Sequence, residues 1–377
     1  MNYSHSEFVT EQAAEKFDAN SRQIALPRVS VIVTSFNYAR YVSQALDSVA
    51  SQTYQNFDCV IVDDASTDES NLLIERWIEE NKDPRFHFIR NSSNRGQTAS
   101  FAVGLAATSS EFVAFLDADD FWFPHFLQRH VEAHLNRSFS VSLSCSDLIQ
   151  VDDERRMLSG TLAGPVFEER DARTYSTIDA ENSMRIEPGN GRLEFPESPK
   201  TRYIHPNYAS HPWTATSGMM FRRTVLDIVM PKDPDRLRIC TDWFVFVICH
   251  YLTGSLAIRS ALGAYRRHGN NNFASNPVMG SDVPCAPSAI TRHHTAVVSL
   301  MIHHLLDHRE RFQAVFPYAD MRRLIRILYT KTLQENVSIR NRYLRSELGM
   351  RGILEASARA RLSFLRPIIS KLRLKRR

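Results

Sequence analysis

Three carboxylates, Asp117, Asp119 and Asp120, close an apolar run that reads Glu111-Phe-Val-Ala-Phe-Leu-Asp117-Ala-Asp119-Asp120. Asp117 and Asp119 flank one small residue, so in extended backbone both side chains leave the same face. Like charges held that close repel, and one stays protonated unless a cation sits between them. Hard oxygen ligands at the carboxyl end of a buried strand suit Mg²⁺ or Mn²⁺, ions that also bind substrate phosphates. The competing reading is structural: Asp119 or Asp120 would cap a helix entered through Phe121-Trp-Phe-Pro124.

Upstream, the elements that must position these acids follow one rhythm. Arg28 to Thr34 reads as a short β-branched buried strand. A helix follows with Tyr41, Val42, Ala45, Leu46 and Val49 at helical spacing. Phe57 to Val62 is a second buried strand running into Asp63-Asp64, and Ser66 or Thr67 is placed to cap a helix whose apolar side holds Leu72, Leu73, Ile74, Trp77 and Ile78. Arg85 to Arg90 alternates as an edge strand, Asn91 to Gly96 turns, and Gln97 to Thr108 is a small-residue helix. Such alternation predicts a parallel sheet with right-handed crossovers, and ligands of these sheets bind beyond the carboxyl ends of the strands. Thr34, Asp63/Asp64, Asn94/Arg95 and Asp117/Asp119 all fall on that rim. No G-x-G-x-x-G, G-x-x-x-x-G-K-[ST] or G-x-S-x-G motif accompanies them, which disfavours dinucleotide oxidoreductases, P-loop NTPases and α/β-hydrolases.

Residues 28–137 resemble the nucleotide-sugar half of a family 2 glycosyltransferase with the GT-A fold. The stretches that carry this are Val-Ser-Val-Ile-Val-Thr-Ser-Phe-Asn, Val-Ile-Val-Asp-Asp-Ala-Ser-Thr-Asp, Asn-Arg-Gly and Phe-Leu-Asp-Ala-Asp-Asp, in that order. The resemblance implies that Asp64 hydrogen-bonds a uracil-like base edge and that Thr34 and Phe36 line the base pocket. It puts Arg95 near base or phosphate, Asp117 by the ribose and metal, and Asp119 on the metal that bridges the diphosphate. The cofactor implied is Mg²⁺ or Mn²⁺.

Beyond Pro124, His130 and His134 share a helix face four residues apart. Without an H-E-x-x-H pattern they read as solvated or packed histidines rather than zinc ligands. Ser140 to Asp147 alternates as a strand. Residues 151–212 break the rhythm with scattered Gly, Pro, Ser and Asn, an irregular insertion of part loop and part lid. Trp213 to Arg223 is a strand leading to a helix at about 224–229. In Cys240-Thr241-Asp242-Trp243, Thr241 is placed to cap an apolar helix, and Asp242 is either a first-turn acid favoured by the helix dipole or, as the resemblance implies, the general base. Ser255 to Ala264 is a strand that ends in Tyr265-Arg266-Arg267-His268; the resemblance puts Arg266 and His268 over the diphosphate, while a plain basic turn is the other reading. The chain thus divides into a polar extension (1–27), a nucleotide-sugar-binding α/β half (28–137), an acceptor-binding and catalytic-base half (138–285) and a helical C-terminal region (286–377).

Among 377 residues, 43% apolar and 23% charged content is ordinary for a soluble globular chain. From Arg359 to Arg377 there are eight basic residues and no acid, so the rest of a chain with net charge +4 stands at −4. This tail interleaves arginines with Leu362, Phe364, Leu365, Ile368 and Ile369, and Pro367 should interrupt any single long helix. That composition suits an anionic membrane surface or a partner groove, and no stacking-aromatic motif supports nucleic acid. Five scattered cysteines argue for a reducing compartment. A polar N-terminus and the lack of a long apolar run predict neither secretion signal nor membrane span. The expectation is an inverting, metal-dependent enzyme of α/β GT-A type that moves a sugar from a nucleotide-sugar, a UDP-sugar first, to a saccharide or lipid-linked acceptor, in the cytoplasm or peripheral at the inner face of the membrane. A nucleotidyltransferase, or a non-catalytic nucleotide-sugar-binding module, is the alternative.

Overall fold

The computed structural model describes residues 25–162, 185–186, 193–194, 201–206, 214–269, 271, 287–334, 339 and 343–374. The N-terminal extension up to residue 24, most of the 151–212 insertion, the last three residues of the basic tail and its side chains from 361 onward lie outside the described residues.

Strand–helix alternation builds the first half as expected. The strands are β1 (Val29–Ser35), β2 (Phe57–Asp63), β3 (Phe86–Arg90) and β4 (Phe112–Asp117). Between them run α1 (Val42–Ala50), α2 (Ser70–Asn81) and α3 (Gln97–Ala106). The four strands are parallel, in the order β4-β1-β2-β3, with β3 at the edge. Period-two alternation sends Val29, Val31 and Val33 of β1 to one face and Ile32 to the other, each fully buried. Burying each such side chain stabilises the fold by about 1.5–3 kcal/mol. The small residues of α3 have a reason: a Cβ at Gly104 would stand 2.4 Å from Ile32 Cγ2, so this helix lies directly on the sheet.

After β4 come β5 (Phe121–Trp122), α4 (Phe126–Leu135), β6 (Leu143–Val151) and β7 (Met157–Ser159). Then follow β8 (Thr201–Ile204), β9 (Met219–Arg222), α5 (Arg223–Val229), α6 (Thr241–Thr253) and β10 (Ser255–Arg266). Among the described residues these strands complete a ten-stranded sheet, ordered β8-β10-β6-β9-β4-β1-β2-β3, with β5 on β10 and β7 on β6. β9 runs antiparallel between β4 and β6 and so joins the two halves into one sheet. Helices α1, α2 and α4 cover one face; α3, α6, α7 (Pro287–Asp307) and α9 (Tyr318–Gln334) cover the other. The short α8 (Arg309–Gln313) and the long α10 (Leu344–Leu374) complete the C-terminal helices. Among the described residues no helix is long and apolar enough to cross a membrane, and Cys59, Cys145, Cys240 and Cys249 are buried free thiols.

Several local expectations give way to tertiary chemistry. Helix α2 starts at Ser70, because Ser66 gives its backbone N–H and hydroxyl to Asp63 and the Asp68 carboxylate receives the Ser70 N–H instead. Its buried face is formed by Ser70, Asn71, Ile74 and Trp77, and Leu72, expected on the apolar side, is 61% exposed. No helix begins at Phe121, so Asp119 and Asp120 cap nothing. His130 and His134 are packed: His130 Nδ1 lies 2.7 Å from Ser144 Oγ, and burial holds the His134 pKa down to about 3, its ring 4.8 Å from that of Phe112. Thr241 is the first residue of α6 rather than its cap, which is Cys240 in the left-handed region (φ 66°). Helix α10 continues through Pro367, where a break was expected. Its break falls at Gly349 (φ 65°, ψ 168°), a conformation cheap only for glycine.

Candidate active site

Strand register sets the site. Thr34 is level with Asp117 on β4, and Ser35 with Asp63 on β2, so the strand ends form one rim. Against it lies a cavity of about 320 Å³, lined among the described residues by Thr34, Phe36, Tyr38, Asp64, Gln97, Asp117, Asp119, Thr216, Arg238, Asp242 and Tyr265, with smaller contributions from their neighbours.

The loops that frame the cavity are tied to each other. Asn37 takes a positive φ (60°) and its side-chain oxygen accepts the Thr67 N–H at 2.8 Å, while the Asn37 N–H donates to Ser66 Oγ at 2.9 Å. This lock holds Phe36 at the rim with 41% of its surface exposed, an unusual place for a large apolar ring. The two acids after β2 divide their work. Asp63 is fully buried and occupied by Ser66, whereas Asp64 faces the cavity. Asp64 accepts from the Arg95 N–H (3.0 Å), the Gly96 N–H (2.7 Å) and Asn91 Nδ2 (2.9 Å). The Arg95 N–H also reaches the second oxygen, at 3.1 Å, so these donors fix the carboxylate where it lines the cavity.

The three acids after β4 also divide. Asp120 turns inward, accepting from Ser217 Oγ at 2.6 Å and the Arg266 N–H at 2.9 Å; burial and the charges of Asp119 and Asp117 push its carboxyl well up. Asp117 and Asp119 face the cavity. Asp117 accepts from Gln97 Nε2 (2.7 Å) and Thr34 Oγ1 (3.2 Å) on one oxygen. Even so, burial first and the charge of Asp119 second push its pKa up to about 7, with Asp242 adding to the effect. Asp119 is held by His268 Nε2 at 3.0 Å and by the Tyr38 phenol, whose own ionisation burial and Asp119 suppress. Tyr41 stacks on the His268 ring at 5.2 Å.

Asp242 reaches the cavity from the second half of the chain. It stands in the first turn of α6, where its carboxylate accepts the Trp243 N–H at 2.7 Å and burial raises its pKa. The segment before it lies across the nucleotide half. The Gln97 N–H donates to the Arg238 carbonyl at 2.9 Å, the Arg95 guanidinium grips Asp235 at 2.7 and 2.9 Å, and Thr241 Oγ1 meets Thr98 Oγ1 at 2.5 Å. Gly96 (φ 91°) permits this closeness, since a Cβ there would stand 2.7 Å from the Arg238 carbonyl oxygen.

Six of the nine residues singled out from sequence, Thr34, Phe36, Asp64, Asp117, Asp119 and Asp242, converge on the cavity. The other three lie behind it. Arg95 reaches Asp64 through its backbone while its side chain is on the surface. Arg266 is 1% exposed, its Nε donating to the Asp119 carbonyl at 2.8 Å and its guanidinium 4.8 Å from the Tyr41 ring. It braces the acidic turn through the Asp119 carbonyl, as His268 does through the Asp119 carboxylate. Gln97, Tyr38, Arg238 and Ser217 escaped the sequence reading. Tyr38 and Gln97 adjoin recognised stretches and were within reach, but nothing in the irregular run before α6 distinguishes Arg238.

Among the described residues no group of three or more His, Cys, Asp or Glu side chains is arranged to hold a metal alone. Asp117 and Asp119, the first pushed up to about 7 by burial and then by the charge of the second, are nevertheless a donor set that lacks its countercharge.

Comparison with known proteins agrees with this geometry. The family described as "Glycosyl transferase family 2" matches residues 30–226, just over half of the chain. An uncharacterised glycosyltransferase of Nostoc sp. is 35% identical over 248 residues, 66% of this chain and 67% of that protein. The Escherichia coli UDP-Glc:alpha-D-GlcNAc-diphosphoundecaprenol beta-1,3-glucosyltransferase WfgD is 30% identical over 112 residues, 30% of this chain and 43% of that one. Among solved structures, residues 1–349 of S. aureus TarS in complex with UDP superpose with a TM-score of 0.49 at 14% identity, over 89% of this chain and 92% of that one. With its family match and the mixed α/β sheet that carries these acids, the chain belongs to glycosyltransferase family 2 and is a glycosyltransferase of GT-A type.

Proposed function

We propose that the enzyme is an inverting transferase that moves a sugar from a UDP-sugar to a hydroxyl of a saccharide or lipid-linked acceptor, in the synthesis of a cell-surface polysaccharide or glycolipid. The observation that carries this reading is the meeting of Asp117 and Asp119, from the nucleotide half, with Asp242, from the other half, in one cavity. Phe36 would stack on the base, and the cavity-facing Asp64 carboxylate would take a uracil N–H. The name of the E. coli relative gives it a UDP-sugar donor and a diphosphoundecaprenol-linked acceptor, which supports this assignment.

Mg²⁺ or Mn²⁺ would be held by Asp117 and Asp119, and when bound would offset the charge gathering on the departing diphosphate. The chain's own residues do the rest. His268 and Tyr38 fix the Asp119 carboxylate, as outer groups orient a metal ligand. Gln97 and Thr34 hold Asp117. Asp242 accepts the proton of the acceptor hydroxyl as it attacks the anomeric carbon on the face opposite the leaving group, which inverts that centre. Its raised pKa brings it toward the range in which a carboxylate both accepts a proton and stays ionised near neutrality.

The basic stretch 359–377 would place the enzyme at the inner face of the membrane, where a lipid-linked acceptor is presented. A nucleotidyltransferase is not favoured: Ser35-Phe-Asn-Tyr-Ala carries no basic phosphate loop after β1. The test is a screen of nucleotide sugars for hydrolysis in the presence of Mn²⁺. The expected outcome is turnover of a UDP-sugar that chelation stops. Turnover confined to other nucleosides, or indifferent to chelation, would contradict the assignment.

A further inference from the structure

We propose that the C-terminal helices carry a second anion site, for a phosphate group, in the cavity between α9 and α10. This cavity of about 370 Å³ shares no residue with the one at the strand ends. Arg322, Arg323 and Arg326 enter it from α9, and Arg351 and Glu355 from α10. Four guanidinium groups therefore face a single carboxylate in the lining. Glu355 is shared, one oxygen 3.3 Å from Arg326 Nη1 and the other 3.1 Å from Arg351 Nε. Arg322 donates to the Leu348 carbonyl at 3.2 Å and lies 5.4 Å from the Tyr318 ring. Arg323 donates to the Tyr251 carbonyl at 2.7 Å and has Asp320 at 3.5 Å.

These contacts hold the guanidiniums in place without matching their charge: among the described residues of the lining, Arg322, Arg326 and Arg351 meet one carboxylate, Glu355. Arg326 Nε is buried and makes no hydrogen bond. Like charges gathered in one concavity repel, so an anion that entered would relieve them. Guanidinium forks pair with phosphate oxygens through two parallel N–H bonds, a geometry that a halide cannot share, and several forks around one cavity suit an oxyanion of more than one charge.

The favoured source of that phosphate is a lipid headgroup. On the same helix as Arg351 and Glu355, Met350 and Leu354 are 66% and 62% exposed, and four residues apart they form one apolar stripe. Arginines that bind headgroups beside apolar side chains that enter the acyl boundary are the two components of an interfacial helix. No residue in this argument belongs to the donor site, so the proposal stands or falls separately from the catalytic reading.

The test uses the full chain with EDTA present. Inorganic pyrophosphate is the soluble probe, followed by calorimetry, and sedimented vesicles of phosphatidylcholine with or without phosphatidic acid are the membrane probe. The double variant Arg322→Gln/Arg351→Gln should weaken pyrophosphate binding roughly tenfold or more, the loss expected for two charge-assisted hydrogen bonds. It should also reduce adsorption to phosphatidic acid vesicles, although the basic tail is intact. Glu355→Gln should tighten pyrophosphate binding, because it removes the competing anion. A purely structural cluster gives the opposite pattern: a lower melting temperature in Glu355→Gln and unchanged anion affinity in every variant, which would overturn the proposal. Arg351→Gln alone, with a side chain 93% exposed, guards against misfolding of the double variant and should show part of the loss. Weakened pyrophosphate binding with unchanged vesicle adsorption would overturn the lipid source and leave a soluble phosphate compound as the ligand.

Discussion

The two halves of the sheet bring acids to the same cavity by different means. In the first half, β1, β2 and β4 are parallel neighbours, and the register that aligns Thr34 with Asp117 and Ser35 with Asp63 carries the strand ends to one rim. Position along a strand is enough. In the second half, Asp242 is placed by a chain of remote pairings: β9 inserted between β4 and β6, β10 parallel to β6, and the run before α6 laid over Gly96 and Gln97. Local register builds a donor site robustly, whereas an acid delivered from a distance depends on the fit between halves. The contrast predicts that variants in the first half remove binding chemistry, while variants at the seam misplace a group that is itself intact.

The largest effect is expected from Asp119→Ala. It removes one of the two carboxylates proposed to hold the metal and takes the Asp119 carboxylate away from His268. Transfer should fall to background while the circular dichroism spectrum is unchanged, and EDTA on the wild type should reproduce the loss. Retained turnover in either experiment would break the two-carboxylate account.

Gly96→Ala tests the seam. The added methyl meets the Arg238 carbonyl oxygen at 2.7 Å, and the positive φ disfavours any side chain. The segment carrying Asp242 must shift, and misplacement of a catalytic group by about an ångström costs up to ~10²-fold. A fall in kcat of roughly tenfold to a hundredfold with nucleoside diphosphate affinity changed much less is the expected split. Equal losses in both would show that the seam positions the donor as well.

Asp117→Asn examines the charge imbalance. With a folded pKa of about 7 against 3.8 for the ordinary carboxyl, Asp117 favours the folded state below about pH 4, and that contribution is lost as pH rises toward 7. Replacing it with the neutral amide should therefore stabilise the ligand-free protein by an amount that grows between pH 4 and 7 and levels off above, on the order of 1–4 kcal/mol. Melting temperatures across that range check it. Transfer should be lost in the same variant, the pattern expected of a functional carboxylate kept at the cost of stability. A smaller effect is expected at Arg95. Its backbone serves Asp64 while its guanidinium pairs with Asp235 on the surface. Arg95→Gln should change donor affinity by less than about twofold, the scale of an exposed ion pair; a large loss would return the side chain to the site.

How much of this was legible in the sequence follows the same division. The strands of the first half, their parallel order and the acids at their ends were readable, because period-two and helical patterns are local and Asp63-Asp64 and Asp117-Ala-Asp119 end apolar runs. Which acid of each pair faces the ligand was not readable: Asp63 and Asp120 are claimed by Ser66 and by Ser217 with Arg266, the latter two about a hundred residues or more away. For the same reason the contacts of Arg266 and His268 with Asp119 and Asp120 are not legible in the sequence. A basic turn reads the same on either side of a carboxylate, and only the pairing of β10 with β5 and β6 decides. Arg238 was invisible because it lies in an irregular run whose place depends on Gly96 and Gln97, far away in sequence.

The central claim, that an acid from the second half completes a donor site built by the first, is tested most directly by Asp242→Asn. The amide keeps the shape of the side chain and can still accept the Trp243 N–H, but it cannot take up the acceptor's proton. The measurement is kcat for transfer beside donor-site affinity, titrated with nucleoside diphosphate and Mn²⁺. The account predicts a fall in kcat of ~10²–10⁴-fold, the usual worth of a positioned general base, with affinity nearly unchanged. Near-normal kcat, accompanied only by the few tenths to ~1 kcal/mol of stability that a first-turn acid lends its helix, would contradict it.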